Sequence, residues 1–277
     1  MVVFPNSKIN LGLNILDKRP DGFHDLETVF LPIPLKDSLE IIRAKESSTD
    51  VVFSQSGFVV DGDMEDNLCI KAYKLLKKDF PQLPAIQMHL HKTVPMGAGL
   101  GGGSADAAFT LKMLNDKFHL NLSTEQLIQY SLCLGSDCPF FIINKPCFAT
   151  GRGELLQPIE LSLTGYYLIL INPGIHINTG WAFSQLKNEP AENRLSKNLQ
   201  QHINGPITNW RNTISNDFET PVFAAHPALK EIKESLYSNG AIYAAMSGSG
   251  STIFGLFEKE IPGFNFQPNW LVKAIAL

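Results

Sequence analysis

The segment best suited to chemistry is a glycine-dense stretch, residues 97–103 (GAGLGGG), which Ser104 follows directly. A phosphate chain needs several backbone N–H groups pointing at it, and glycine lets the backbone approach because it carries no side chain. The stretch therefore predicts a loop that binds a polyphosphate. The alternative is a tightly packed glycine turn with no ligand.

Two elements must position this loop. Ile86, Met88 and Leu90 alternate with polar residues, and this period of two predicts a strand before the loop. From Ser104 onward, apolar residues recur at helical spacing, which predicts a helix that begins at Ser104. The loop then lies at a helix N-terminus, where free N–H groups and the helix dipole favour an anion.

Other elements follow from the same patterns. Asn67 is a predicted N-cap, Ser123 and Gln126 form a capping-box pattern, and Gly135 is predicted to end a helix in the left-handed conformation. The predicted helices cover residues 67–79, 123–134 and 227–240. The predicted strands of the second half cover residues 166–171, 241–246 and 252–257.

Known phosphate-loop patterns narrow the chemistry only partly. No lysine follows the glycines, so the G-x-x-x-x-G-K-[ST] pattern is not met. A G-x-G-x-x-G pattern is present at Gly97, Gly99 and Gly102, but it comes late in the chain, and the position where an acidic residue is expected lies in a helix. A dinucleotide-dependent oxidoreductase stays open as an alternative at this point.

Composition excludes several classes of protein. The 277 residues include 23 basic and 27 acidic side chains, which gives a formal net charge of −4. A mildly acidic chain lacks the basic excess that nucleic acid demands. The four cysteines show no C-x-x-C spacing, and no signal-peptide pattern or membrane-length apolar run is present. We expect a cytoplasmic protein that binds neither nucleic acid nor a membrane; the sequence predicts no oligomeric state.

Five segments together resemble the GHMP-type small-molecule kinases. The resemblance lies, in family order, in residues 5–12 (PNSKINLG), 19–24 (RPDGFH), 95–104 (PMGAGLGGGS), 135–139 (GSDCP) and 246–251 (MSGSGS). It implies an α+β, two-domain fold, with a ribosomal-S5-like N-terminal domain and a ferredoxin-like C-terminal domain. We predict these domains at residues 1–153 and 154–277, with the boundary near the turn at 151–153.

The resemblance also implies the activity, which is ATP-dependent phosphorylation of an alcohol, with Mg²⁺ as cofactor. Lys8 and Asp137 match the catalytic lysine and the carboxylate that accepts the hydroxyl proton, although an aspartate in such a turn commonly only caps it. The residues that match the ATP site are Pro95, Met96, Gly97, Ala98, Gly99, Leu100, Gly101, Gly102, Gly103, Ser104, Asn67 and Lys92.

Residues 19–24 narrow the resemblance to members of the family that act on a cytidine diphosphate-linked alcohol of isoprenoid precursor synthesis. The positions that match the acceptor site are Asn10, Phe23, His24, Thr179 and Phe183. Two phenylalanines are expected to sandwich the base while the histidine reads its edge. Phe23 stands where many relatives have tyrosine. For Phe183, the alternative to base binding is burial in the core.

Some alternatives stay open. Another GHMP kinase, for homoserine or mevalonate, is the nearest rival, and a catalytically silent ligand sensor is a third class. His89 and His91 are predicted to form a solvated polar face rather than a metal pair, and no metal ligand is assigned. Arg152 is predicted to be either a solvated turn residue or a phosphate contact.

Overall fold

A computed structural model describes residues 1–45, 49–59, 63–186, 198–259, 263 and 266–277. The strands in these ranges are β1 (Val2–Val3), β2 (Asn6–Lys18), β3 (His24–Lys36), β4 (Ser38–Arg43), β5 (Val51–Gly57), β6 (Ile86–Lys92), β7 (Cys147–Thr150), β8 (Leu155–Pro158), β9 (Tyr167–Asn172), β10 (Tyr243–Met246), β11 (Ile253–Phe257) and β12 (Leu271–Ala276). The α-helices there are α1 (Leu68–Asp79), α2 (Gly102–Phe118), α3 (Thr124–Leu132), α4 (Cys138–Ile143), α5 (Thr179–Ser184), α6 (Leu199–Ile203), α7 (Ile207–Thr213), α8 (Glu219–Ala225) and α9 (Pro227–Ser238).

The chain folds into two compact units that are interleaved in sequence. The first unit comprises Met1–Lys8, Pro34–Met96 and Gly101–Lys145, and the second comprises Ile9–Ile33, Gly97–Leu100 and Pro146–Leu277. The last crossing of the chain, at 145/146, comes a few residues before the predicted boundary. The domain ranges 1–153 and 154–277 stay a prediction.

In the first unit, one sheet has the strand order β1-β4-β6-β5. β5 and β6 are parallel and α1 connects them, while the other neighbouring strands are antiparallel. The predicted strand before the glycine loop is confirmed as β6, with Ile86, Met88 and Leu90 buried. The alternation arises because successive side chains of a strand point to opposite faces.

Two predicted helix N-caps in the first unit are confirmed. Asn67 caps α1 by accepting from the backbone N–H of Cys69, and Ser123 and Gln126 form the predicted capping box of α3. The prediction for Gly135 was wrong, because this glycine does not adopt a left-handed conformation. α3 instead ends at Leu132, and its last turn closes in right-handed conformation at Cys133.

The second unit contains two further sheets, with the orders β2-β3-β7-β8 and β10-β11-β9-β12. The latter is antiparallel throughout, and its order is that of a ferredoxin-like sheet. The three strands predicted for the second half are confirmed as β9, β10 and β11, each within two residues. The predicted helix that begins at Pro227 is confirmed as α9, and Gly240 follows it with a φ of +93°.

The core of the second unit lies between this antiparallel sheet and the helices. α9 contributes Leu229, Ile232 and Leu236, which are buried with apolar side chains of β9, β10 and β11. Mixed helices and mainly antiparallel sheets confirm the predicted α+β class. No helix among the residues that the structure describes is long and apolar enough to cross a membrane.

Candidate active site

The glycine stretch forms a loop that leads directly into α2. α2 begins at Gly102, two residues before the predicted start at Ser104. Gly101 is its N-cap, and the φ angles of Gly97, Gly99 and Gly101 are +62°, +77° and +70°, which L side chains rarely adopt. The last glycines of the stretch thus belong to the first turn of the helix, and the loop proper is 97–101.

An ion pair lies beside this helix N-terminus in the first unit. Nζ of Lys8 is 3.5 Å from Oδ2 of Asp137, and the side chains are 5% and 34% exposed. Cε of Lys8 lies 3.2 Å from the point that a Cβ of Gly101 would occupy. Asp137 directly precedes α4 but makes no capping hydrogen bond, so it does not serve merely as a cap. The structure thus brings the two predicted catalytic residues together.

Cys138 joins the start of α4 to the first turn of α2. Its thiol is fully buried, burial raises its pKa to about 12, and it shares a hydrogen bond with the Ser104 side chain. The thiol is therefore not a nucleophile at neutral pH. Its contact instead places Asp137 next to the turn where unpaired helix N–H groups attract negative charge.

Lys92 has surroundings that the sequence did not predict. Its Nζ donates to Asp37 and, at 2.7 Å, to Oδ2 of Asp106, and all three side chains are almost fully buried. Burial alone would lower the pKa of Lys92, but Asp106 and Asp37 outweigh it and the pKa is raised. The ammonium is neutralised within the protein, and its predicted contact with the nucleotide stays a prediction.

Asp37 and Asp106 differ in how their oxygens are used. Oδ1 of Asp37 accepts from the backbone N–H groups of Thr93 and Val94, whereas Oδ1 of Asp106 has no hydrogen-bond partner although it is buried. Burial, with the nearby charge of Asp37, raises the pKa of Asp106 to about 7.

A cavity of about 300 Å³ lies beside this cluster in the first unit. Two predicted ATP-site residues, Asn67 and Lys92, line it together with Met96 and Gly103. Its walls combine apolar side chains such as Leu68 and Leu90 with a few polar groups, which is typical of small-molecule pockets. Pro95 directly precedes Met96 in the chain.

The second unit holds the first half of the glycine loop against the serine-rich segment 247–251. Oγ of Ser247 donates to the carbonyl of Gly99 at 2.7 Å, and the N–H of Thr252 donates to that of Ala98 at 3.3 Å. A Cβ on Gly99 would lie 1.9 Å from the Ser247 carbonyl oxygen, so only glycine fits. Asn216 in turn donates to the carbonyls of Met246 and Gly248, which fixes the serine-rich segment.

Asn10 belongs to the same set of contacts. Its side-chain amide donates to Oγ1 of Thr28 at 2.9 Å, and its backbone N–H donates to Oγ of Ser247 at 3.2 Å. Asn10 is buried and lies two residues along β2 from Lys8, so the two side chains share a strand face as predicted. Its contact with an acceptor stays a prediction.

The predicted base-binding residues lie in the second unit. Phe23 is 54% exposed at a turn, as its position after a glycine predicted. The His24 ring stacks on the ring of Phe183, with centroids 5.0 Å apart and an angle of 14°, and Phe183 meets the buried Phe218 edge-on. His24 thus covers one face of Phe183, which the sequence analysis did not predict. Phe183 is also partly buried against the hydrophobic core.

The remaining candidates have these positions. Oγ1 of Thr179, at the start of α5, lies 3.0 Å from Oγ of Ser249. His89 and His91 contact the serine hydroxyls of β5, which agrees with a polar sheet face. The guanidinium of Arg152 lies over the Phe23 ring.

Few side chains of the candidate site offer oxygen ligands to Mg²⁺. Among the residues that the structure describes, no group of three or more His, Cys, Asp and Glu side chains is placed to hold a metal. Mg²⁺ commonly takes only one or two protein oxygens and fills its shell with phosphate and water. The hydroxyl of Ser104, in the first turn of α2, fits that need.

Sequence reasoning missed Asp37 and Asp106. The only signal for Asp106 is a charged side chain among Ala105, Ala107 and Ala108, on a helix whose small residues indicate close packing. Asp37 gives no such signal, because its hydrogen bonds connect it to residues more than 50 positions away. It could be found only from the structure.

Family models match both halves of the chain. The family model described as "GHMP kinases N terminal domain" matches residues 67–145. The model described as "GHMP kinases C terminal" matches residues 198–267. The first range contains the loop, α2 and Asp137. The match removes the reason for an oxidoreductase, since the glycine pattern is explained by the kinase family.

Curated relatives match over nearly the whole chain. A 4-diphosphocytidyl-2-C-methyl-D-erythritol kinase of Bacteroides fragilis is 54% identical over 96% of this chain and 96% of its own length. A protein of the same name from Bacteroides thetaiotaomicron is 50% identical and covers 94% of this chain and 93% of its own.

Solved structures agree with this fold. A crystal structure of 4-(cytidine 5'-diphospho)-2C-methyl-D-erythritol kinase is 29% identical, with a TM-score of 0.75 over 92% of this chain and 90% of that one. The Methanococcus jannaschii mevalonate kinase, 12% identical, has a TM-score of 0.71 over 93% of this chain and 90% of its own, which shows the shared fold alone. With both of its halves matched and the two-domain fold in common, the chain belongs to the GHMP kinase family.

Proposed function

We propose that this kinase transfers the γ-phosphate of ATP to the hydroxyl at the 2-position of 4-diphosphocytidyl-2-C-methyl-D-erythritol, a step of isoprenoid precursor biosynthesis. The named relatives support the choice of acceptor. The observation that carries the chemistry is the Lys8–Asp137 ion pair beside the N-terminus of α2. Four cysteines without a disulfide support the cytoplasm as its location.

In this proposal, Asp137 accepts the proton of the attacking hydroxyl. Phosphoryl transfer asks the protein mainly to align the reactants and to stabilise charge on the migrating group. Lys8 lies beside this carboxylate, and its ammonium stabilises the charge that develops on the transferred phosphoryl oxygens. The partial exposure of Asp137 leaves it accessible to a substrate.

ATP would bind along residues 95–104, with Asn67 and Lys92 on the adenine side. The loop offers backbone N–H groups to the phosphates, and the first turn of α2 adds the positive end of its dipole. The cavity beside Asn67 has room for a purine base. Mg²⁺, which neutralises phosphate charge when bound, would be held by the hydroxyl of Ser104 together with the phosphates.

The acceptor would bind through its cytosine, its ribose and its alcohol. Phe23 and Phe183 offer aromatic faces to a pyrimidine, and the ring nitrogens of His24 offer hydrogen bonds to its edge. Because His24 stacks on Phe183 in the structure, the base must either replace it there or use the other face. Asn10 and Thr179 would contact the rest of the acceptor.

A coupled assay of ADP release tests this function. Purified protein with MgATP is given 4-diphosphocytidyl-2-C-methyl-D-erythritol, homoserine, mevalonate or no acceptor, in separate reactions. We expect ADP release only with the cytidine-containing acceptor. Release with homoserine or mevalonate alone would assign the chain to another activity of the family, and an equal rate without acceptor would remove the proposed transfer.

A further inference from the structure

Arg152 packs on the aromatic ring that the acceptor site exposes most. Its Cζ lies 4.7 Å from the centroid of the Phe23 ring, within the range of a cation–π contact. Phe23 is nonetheless 54% exposed, so its ring keeps a large accessible surface. An exposed phenylalanine samples several orientations, and ordering it on ligand binding costs free energy unless a neighbour already holds it.

The turn that carries Arg152 is built to hold it in place. Gly151 and Gly153, on either side, have φ angles of +68° and +102°. The backbone N–H of Arg152 donates to Oε2 of Glu154 at 2.5 Å, and its Nε lies 3.6 Å from Oε1 of the same carboxylate. A Cβ on Gly151 would lie 3.0 Å from the Glu154 carboxylate, so the glycine makes room for this contact.

The backbone of Phe23 is held by hydrogen bonds within its own turn. The N–H of Arg19 donates to the carbonyl of Phe23 at 2.8 Å, and the N–H of Phe23 donates to Oδ1 of Asp21 at 3.1 Å. The two turns are also joined, since the N–H of Leu26 donates to the carbonyl of Gly151 at 2.7 Å. Both partners of the Arg152–Phe23 contact therefore have fixed backbones.

We infer that Arg152 is a positioning residue of the acceptor site, whose guanidinium packs on one face of Phe23 and fixes the ring so that its free face receives a pyrimidine base. The inference rests on the proposed function, which makes Phe23 a base-binding residue. With its Nε near Glu154 and its Cζ over the Phe23 ring, Arg152 acts through Phe23 rather than as a phosphate ligand. The sequence analysis left two interpretations of Arg152, a solvated turn residue or a phosphate contact. The positioning role replaces both.

A double-mutant cycle tests this inference. Calorimetric titrations with cytidine and with cytidine 5'-diphosphate are carried out on the wild type, Arg152→Gln, Phe23→Ala and the double variant. We expect Arg152→Gln to weaken both ligands equally, by about fivefold, and to have no further effect when Phe23 is already alanine. Arg152→Lys, which keeps a cation over the ring, should recover part of the affinity.

The matched control is Arg211→Gln. Arg211 makes a similar contact with Tyr237, with 4.1 Å from Cζ to the ring centroid, but it lies on α7 and not on the turns that hold Phe23. Its removal should leave both affinities unchanged, and thermal unfolding of every variant verifies the fold.

Two outcomes would overturn the inference. If Arg152→Gln weakens the diphosphate but not cytidine, or weakens it equally in the Phe23→Ala background, Arg152 contacts the ligand directly. If the wild type binds and Arg152→Gln binds just as well, the contact with Phe23 has no role in affinity. Failure of the wild type to bind either ligand would instead refute the proposed function, so the two failures are distinguishable.

Discussion

Two lysines of the first unit each pair with aspartate, and they do so in opposite ways. Nζ of Lys8 lies 3.5 Å from the carboxylate of Asp137, and Asp137 is one-third exposed. Lys92 is enclosed by Asp37 and Asp106, with almost no exposed surface on any of the three side chains. The same two residue types thus form one loose, accessible pair and one tight, buried cluster.

The difference indicates which of the two lysine–aspartate groups can take part in catalysis. An accessible carboxylate with a loose ion pair can exchange its partner for a substrate hydroxyl, and the lysine can turn toward a phosphate. A fully buried cluster has its charges compensated internally, and removing one partner leaves an uncompensated charge without water. We therefore expect changes at Lys8 to affect turnover and changes at Lys92 to affect stability.

Lys8→Ala should have the largest effect of the variants that sharpen this comparison. We expect turnover to fall by about 10³-fold, because a cation that stabilises the developing charge is lost. Steady-state ADP release with saturating substrates measures it. Lys74→Ala, which removes an exposed lysine of α1, is the control and should retain full turnover. A loss of less than tenfold in Lys8→Ala would break the assignment.

Lys92→Met should act mainly on stability. The buried carboxylate of Asp37 loses its counter-ion, and we expect the free energy of unfolding to fall by about 3–5 kcal/mol. Urea denaturation followed by circular dichroism measures the change. The comparison would fail if Lys92→Met unfolded at the same urea concentration as the wild type.

His24→Ala and Phe183→Ala should weaken the binding of cytidine 5'-diphosphate by about tenfold each, because each removes an aromatic ring of the stacked pair. Calorimetric titration measures both affinities. Phe118→Ala, which changes a phenylalanine at the end of α2, is a control and should bind normally. Unchanged affinity in either pocket variant would remove that residue from the base-binding site.

Asp106→Asn should have an effect on stability that depends on pH. Since burial raises the pKa of Asp106 from its usual value near 4 to about 7, the folded protein binds a proton there that the unfolded chain releases. That contribution is complete below pH 4 and is lost as the pH rises to about 7. The variant, which has no such group, should therefore gain stability relative to the wild type between pH 4 and 7.

Thermal unfolding of both proteins across this pH range measures the difference. A constant difference between wild type and Asp106→Asn would show that the group titrates normally in the folded protein.

Local elements could be predicted from the sequence, while the interleaved units could not. α1, α3 and β6 follow from periodicity and caps that lie within a few residues of one another. The excursion of residues 9–33 into the second unit depends on pairing between β3 and β7, in which Thr28 faces Ala149. No local pattern specifies a partner more than a hundred residues away.

The residues of the candidate site also differ in whether the sequence alone could identify them. The glycine loop could be predicted from backbone chemistry, whereas Lys8 and Asp137 were identified only through the family resemblance, because a lone lysine or aspartate is ordinarily solvated. The start of α2 at Gly102 was missed because glycine has low helix propensity, although close packing against Val94 favours it there.

The most direct test of the account is the turnover of Asp137→Asn. This substitution keeps the size of the side chain but removes its negative charge and its ability to accept a proton, and it leaves the residues that bind the cytidine group unchanged, so binding should persist. We predict that ADP release falls by about 10³-fold or more, while the melting temperature and the affinity for cytidine 5'-diphosphate stay at their wild-type values. Turnover close to that of the wild type would contradict the account, because the proton would then leave by another group.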